Sequence, residues 1–368
     1  MKKQTSATTE PQVKGSTIVD FSGKPIYVGI DMHQKSWQVA QYYDGLTLGN
    51  HHLTSNCQSV VNFLRKRYPG AALKCVYESG SWGFELQRAL TAAGIHCIVT
   101  NASDVPGSNK EKMNKTDKVD ALRLARHYAA GILKGIHVPE QALQKERNLI
   151  RFRKKLRGDL TRSKNRLKGL LKFQGIDIPE VFNGATWSHN FMNWIEVQAT
   201  KDSLLEDTLL LMLDQVRLLR QLLLKSDRKL RALRYSDKYK KHADLLISIP
   251  GIGCITAMLF LMEVGDIHRF STFDQLNSFV GFYPGSHSSG EKEQDTGITQ
   301  RRHNQLRTAL VESAWIAIRV DPALLEAYQQ LVKKMKGSEA IVRIARKLLR
   351  RMRAILLTGM PYQKGVIA

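Results

Sequence analysis

Ile26-Tyr27-Val28-Gly29-Ile30-Asp31 is an apolar run of strand-forming residues that ends on a carboxylate, and it decides how the N-terminal third is read. A second run, Leu73-Lys74-Cys75-Val76-Tyr77, ends the same way on Glu78, so both acids project from strand ends. Farther on, Asp117-Lys118-Val119-Asp120-Ala121-Leu122-Arg123-Leu124-Ala125-Arg126 opens a helical pattern. Asp117 and Asp120 lie three apart there and share one helix face. Four hard oxygen donors from two strands and one helix suit a pair of Mg²⁺ ions, with Mn²⁺ as a substitute. Such ions sit roughly 4 Å apart and clamp the attacking and leaving oxygens of a phosphodiester. The residue types therefore point to phosphoryl transfer.

Outward from these runs the chain alternates strand and helix patterns. Strands are predicted at 37–43 and 46–53 about the turn Tyr43-Asp44-Gly45, then a helix at 59–67, the strand ending at Glu78, a helix at 84–93 and a strand at 95–100. This predicts an α/β domain over 25–137, a mixed sheet with an antiparallel flank as in RNase H and RuvC-like folds. Residues 1–24 are polar and turn-rich and read as a flexible tail.

From Pro139 the pattern becomes helical, giving a coiled-coil or linker region over 138–240 and a mostly α-helical C-terminal domain over 241–368. In the first long helix Leu149, Phe152, Leu156, Leu160, Leu167 and Leu171 form an apolar stripe, and Arg147, Arg151, Arg153, Lys154, Arg162 and Arg166 belong to its cationic remainder. The second keeps a heptad, Leu209, Val216, Leu223 and Leu230 at one position with Leu205, Met212, Leu219 and Leu233 at the other. A coiled coil is predicted; an intramolecular hairpin of the two long helices is the alternative. Beyond, Pro250-Gly251-Ile252-Gly253 between two apolar stretches resembles a helix-hairpin-helix turn, where Gly251 and Gly253 would let backbone N–H groups meet a DNA phosphate. Helices are predicted at 271–280, 304–319, 322–335 and 338–357, with 281–303 as a loop.

Composition narrows the partners. Lys and Arg outnumber Asp and Glu 56 to 33, giving a net charge of +23, and 43% of the residues are hydrophobic. This describes a globular protein with a field that favours polyanions. No apolar stretch reaches the ~18 residues a membrane span needs, and Met1-Lys2-Lys3-Gln4-Thr5 opens no signal peptide, so a cytoplasmic protein, on the nucleoid when active, is expected. Cys57, Cys75, Cys97 and Cys254 are scattered and read as buried thiols, neither a zinc site nor a disulfide framework.

At Asn114-Lys115-Thr116-Asp117-Lys118-Val119-Asp120-Ala121 the chain resembles the DEDD transposases of bacterial insertion sequences, a family that includes the Piv DNA invertases. Tyr27-Val28-Gly29-Ile30-Asp31, Tyr77-Glu78-Ser79-Gly80, Ile249-Pro250-Gly251-Ile252-Gly253 and Gly281-Phe282-Tyr283-Pro284 with Ser288-Ser289-Gly290 follow in the family's order. The resemblance spans about residues 26–360. It implies a RuvC-like domain with Asp31, Glu78, Asp117 and Asp120 as the acidic site, a central coiled coil, and a C-terminal domain bearing a serine nucleophile at Ser289. It also implies donor and target DNA as partners and a bridge RNA as guide. Recombination involves two duplexes and hence several active sites, so a homo-oligomer is expected, a dimer held by the heptad segment and a tetrameric synapse. Ser288 adjoins Ser289, and the motif register alone favours the latter.

Gln300-Arg301-Arg302-His303 departs from the family's usual basic-basic-Gly-Asn, which leaves position 300 without a role. Lys115, Arg301, Arg302 and Arg307 are candidate phosphate contacts, His287 and His303 read as polar loop residues, and Tyr283 as a packing residue rather than a rival nucleophile. The competing function is a RuvC-like nuclease or junction resolvase that hydrolyses with water. Proofreading-type exonucleases usually open with an acid pair two residues apart, which Asp31-Met32-His33 lacks.

Overall fold

The computed structural model describes residues 19–106, 117–182, 184, 187–289, 292–298 and 302–365, of which 284–298 are described as backbone. Lys115 and Arg301, and all but the end of the N-terminal tail, lie outside the described residues. The chain divides into two compact units at Val138/Pro139.

The first unit is a five-stranded sheet in the order β3-β2-β1-β4-β5, formed by β1 (Pro25–Met32), β2 (Ser36–Tyr43), β3 (Leu46–Thr54), β4 (Ala72–Glu78) and β5 (His96–Thr100). β1, β2 and β3 are antiparallel neighbours joined by short turns; β4 and β5 run parallel to β1. The crossovers use α1 (Cys57–Arg67), capped by the Asn56 side chain, and α2 (Glu85–Ala92). Strand alternation sorts the residues. Ile26, Val28 and Ile30 of β1 and Leu73, Cys75 and Tyr77 of β4 bury themselves together with Val60, Leu64, Leu86 and Leu90 of α1 and α2. Tyr27, Gly29 and Asp31 therefore face the other side, where α3 (Asp117–Ala129) lies. Gly29 makes that close: a Cβ on it would fall 1.9 Å from the Ala121 carbonyl oxygen, so helix and strand meet backbone to backbone.

Among the described residues, the second unit is helical apart from one hairpin. Its first part consists of α4 (Gln141–Phe173), α5 (His189–Ala199) and α6 (Ser203–Arg234). Leu209 and Val216 of the heptad pack with Leu160, Leu167 and Leu171 of α4 and with Phe191 and Ile195 of α5. The seam is thus used within the chain, as the intramolecular hairpin requires. Two details of α4 differ from expectation. Arg147, read as part of the cationic face, is buried, because its guanidinium donates to the Met262 and Glu263 carbonyls; Phe152, read as part of the stripe, is 53% exposed.

The remaining helices are α7 (Lys240–Ile247), α8 (Cys254–Val264), α9 (Phe273–Val280), α10 (Asn304–Val320), α11 (Pro322–Val332) and α12 (Gly337–Thr358). α8 is apolar on every side and is wrapped by the others, Ala257 to Val264 all being buried. The segment expected to be a loop after α9 instead contains the antiparallel pair β6 (Pro284–Ser289) and β7 (Lys292–Ile298). Its Ser-, Gly- and Glu-containing sequence carries no apolar alternation that would announce a strand. Cys75 and Cys97 are buried thiols, whereas Cys57 and Cys254 are only partly covered.

Candidate functional site

The site lies at the C-terminal ends of β1 and β4. The last parallel pair is Ile30 with Tyr77, so one step farther along both strands Asp31 adjoins Glu78, which ends β4. Asp117 and Asp120 occupy the first turn of α3, where carboxylates also meet the positive end of the helix dipole. The turn is held in place from the sheet. The Asn50 amide of β3 donates to the Lys118 carbonyl at 2.9 Å, and Gln38, buried opposite Asp31 on β2, donates to Asn50.

Among the described residues, the ligand atoms of Asp31, His33 and Asp117 lie within 4.8 Å of one another. His33 Nε2 stands 3.0 Å from Asp31 Oδ2 and 3.3 Å from Asp117 Oδ1. Glu78 and Asp120 are not part of this group; Asp120 turns to Arg123, with Nη2 2.9 Å from Oδ1. Burial raises the Asp31 carboxyl above its ordinary value, against the bond and charge of His33 and together with the charges of Asp117 and Asp120. The bond to Asp31 raises His33 in turn. This clustering of like charges is what a divalent cation relieves, and cis ligands of an octahedral ion with ~2.1 Å bonds stand about 3.0 Å apart, so the donors fit such an ion.

His33 has no counterpart among the residues expected from sequence, and neither does Trp82, whose indole N–H donates at 2.9 Å to the carbonyl of Met32, the residue between Asp31 and His33. The only sequence sign of His33 is its place two residues past Asp31; its closeness to Asp117 arises from the fold.

Ser289 is the last residue of β6 and pairs with Lys292 across the hairpin, with Ser288 opposite Glu293. The hairpin is rooted on helices at both sides. Gly281, at φ +88°, ends α9 and accepts from Arg307 at 3.5 Å. His303 caps α10 by accepting from Leu306 N at 3.2 Å, and its Nε2 lies 3.2 Å from Glu263, so it is more than a polar loop residue. Tyr283 is half exposed, not packed as expected.

The proposed nucleic acid contacts are placed unequally. Lys154, Arg162, Arg166 and Arg302 are exposed, Arg162 with an ion pair to Asp159. Arg153 is half-buried on α4 and paired with Asp227 of α6. Gly251, at φ +83°, packs on α10, where a Cβ would lie 2.3 Å from the Ser313 carbonyl oxygen; Gly253 precedes α8 in open space. The glycine pair thus combines a packing demand with an uncovered helix start.

Residues 28–174 match a DEDD transposase domain, and residues 243–329 match the domain described as the transposase IS116/IS110/IS902 family. The transposase for insertion sequence element IS1533 of Leptospira borgpetersenii is 27% identical over 307 residues, 79% of this chain and 85% of that protein. The transposase for insertion sequence element IS1111A of Coxiella burnetii is 46% identical over 72 residues, 20% of either chain. The pilin gene-inverting protein of Moraxella bovis is 34% identical over 132 residues, 34% of this chain and 39% of that one. With both domains present in order, the chain belongs to the IS110/IS116 family of DEDD transposases.

Proposed function

We propose that the protein is the recombinase of an insertion sequence, cutting and rejoining DNA through a phosphoserine at Ser289, with Mg²⁺ held by Asp31, Glu78, Asp117 and Asp120 and the DNA chosen by a bridge RNA. The observation that carries this reading is the meeting of Asp31 and Asp117 at the strand ends of a chain with two transposase domains. The sheet order, three antiparallel strands followed by two parallel ones with acids on the α3 face, supports a RuvC-like first unit.

Bound divalent cations would sharpen the attacking oxygen and neutralise charge on the phosphate. Asp31 and Glu78, fixed on strand ends, orient that centre; Asp117, its side chain 54% exposed, faces the solvent from which substrate arrives. The Ser289 hydroxyl attacks phosphorus, the new O–P bond forms as the bond to one deoxyribose oxygen breaks, and the seryl proton passes to solvent while the departing oxygen takes one up. A deoxyribose hydroxyl of the new partner then displaces the serine, so the bond energy is kept and no ATP is needed. Acids and serine lie in different units and recombination joins two duplexes, which favours active sites completed across protomers, a dimer and then a tetrameric synapse. The exposed cations Lys154, Arg162, Arg166 and Arg302 would hold phosphates of DNA or guide RNA.

The test incubates full-length protein, copurifying RNA and donor DNA with Mg²⁺ and seeks a DNA adduct on Ser289 by mass spectrometry. An adduct absent from Ser289→Ala is expected. Cleavage without any adduct would replace the serine route by hydrolysis.

A further inference from the structure

We propose that His33 is a ligand of the catalytic cation, a nitrogen donor added to the four carboxylates. The inference rests on the metal-site reading above and concerns this chain's own residue. Three observations carry it. His33 Nε2 is hydrogen-bonded to Asp31 Oδ2 at 3.0 Å and lies 3.3 Å from Asp117 Oδ1, distances that equal the spacing of neighbouring ligands about one small ion once the ring nitrogen gives up its proton. Asp120 is engaged by Arg123, and the group of donors that the fold brings together is Asp31, Asp117 and His33, with the imidazole as its third member. The backbone fixes it there: the His33 N–H donates to the Ser36 carbonyl at 3.3 Å, continuing β1 past Met32, whose own carbonyl is held by Trp82.

The chemical consequence is selectivity. An all-oxygen site suits Mg²⁺, whereas an imidazole raises affinity for Mn²⁺ and, more steeply, for Co²⁺ and the later divalent ions. His33 strengthens the site's preference for these over Mg²⁺ beyond what carboxylates alone produce.

The experiment is pulsed electron paramagnetic resonance of Mn²⁺ bound to the full-length protein, which detects a coordinated ¹⁴N directly, with Mn²⁺ titrations of the wild type, His33→Ala and Asp117→Asn. His33 is half exposed in the turn after β1, and circular dichroism verifies that the variants are folded. The expected result is ¹⁴N modulation in the wild type, its disappearance in His33→Ala, and Mn²⁺ affinity at least about tenfold weaker in that variant. Mn²⁺ binding that depends on Asp117 but shows no ¹⁴N modulation would overturn the assignment and leave the carboxylate site standing. Binding indifferent to Asp117 would overturn both.

Discussion

Asp31 is kept above its ordinary pKa first by burial, and the neighbouring Asp117 and Asp120 add to that effect. A cation is therefore worth most where these charges converge, and Asp117→Asn removes one of them without changing shape. We expect that variant to lose Mn²⁺ binding and to cleave DNA more than about 100-fold more slowly, as read in a strand-cleavage assay at fixed Mg²⁺. Ser289→Ala separates the steps: it is expected to abolish the protein-DNA adduct while Mn²⁺ affinity stays at the wild-type value. At this scale Asp31 and Asp117, which the fold brings together, were legible as candidates because one closes an apolar run and the other opens a helix. His33 was not. A histidine two residues past a strand acid is unremarkable until α3 brings Asp117 beside it.

The site depends on how closely α3 sits on β1, and Gly29 sets that distance. A Cβ there would lie 1.9 Å from Ala121 O and 2.7 Å from Ala125 N, backbone atoms of a helix that cannot turn aside singly. Gly29→Ala is expected to push α3 outward, destabilising the first unit by about 1–3 kcal/mol in urea unfolding. It should also weaken Mn²⁺ binding, since Asp117 and Asp120 move with the helix. Apolar periodicity located most elements, because strands and helices with one buried face carry it in their sequence. It failed where polar contacts override it. Arg147 turns inward to satisfy carbonyls at the end of α8, and β6–β7 is a polar hairpin. The heptad of α6 was visible, but repetition alone does not name the partner, which proves to be α4 and α5 of the same chain.

Over the whole molecule a net charge of +23 leaves acids scarce, and the few that are buried carry structural weight. Glu263, 2% exposed on α8, accepts both bonds of the Arg151 guanidinium from α4 at 2.7 Å and lies 3.2 Å from His303 at the head of α10. One carboxylate thus joins three helices of the second unit at the root of the Ser289 hairpin. Burial pushes its pKa up, but the bonds and charges of Arg151 and His303 prevail and hold it down at about 2, against an ordinary 4.5. A depressed carboxylate contributes stability that is complete above pH 4.5 and drains away as pH falls toward 2. The difference in pKa corresponds to about 3 kcal/mol. Urea unfolding of the second unit, followed from pH 6 downward by tryptophan fluorescence, should lose roughly this amount between about pH 4.5 and 2 beyond what the exposed acids contribute. In Glu263→Gln the unit should be weaker by about 3–5 kcal/mol at neutral pH, because the Arg151 guanidinium loses its counter-charge, and its acid-dependent loss should shrink to the background of the surface carboxylates. An unchanged acid slope in that variant would mean that another group carries the pH dependence.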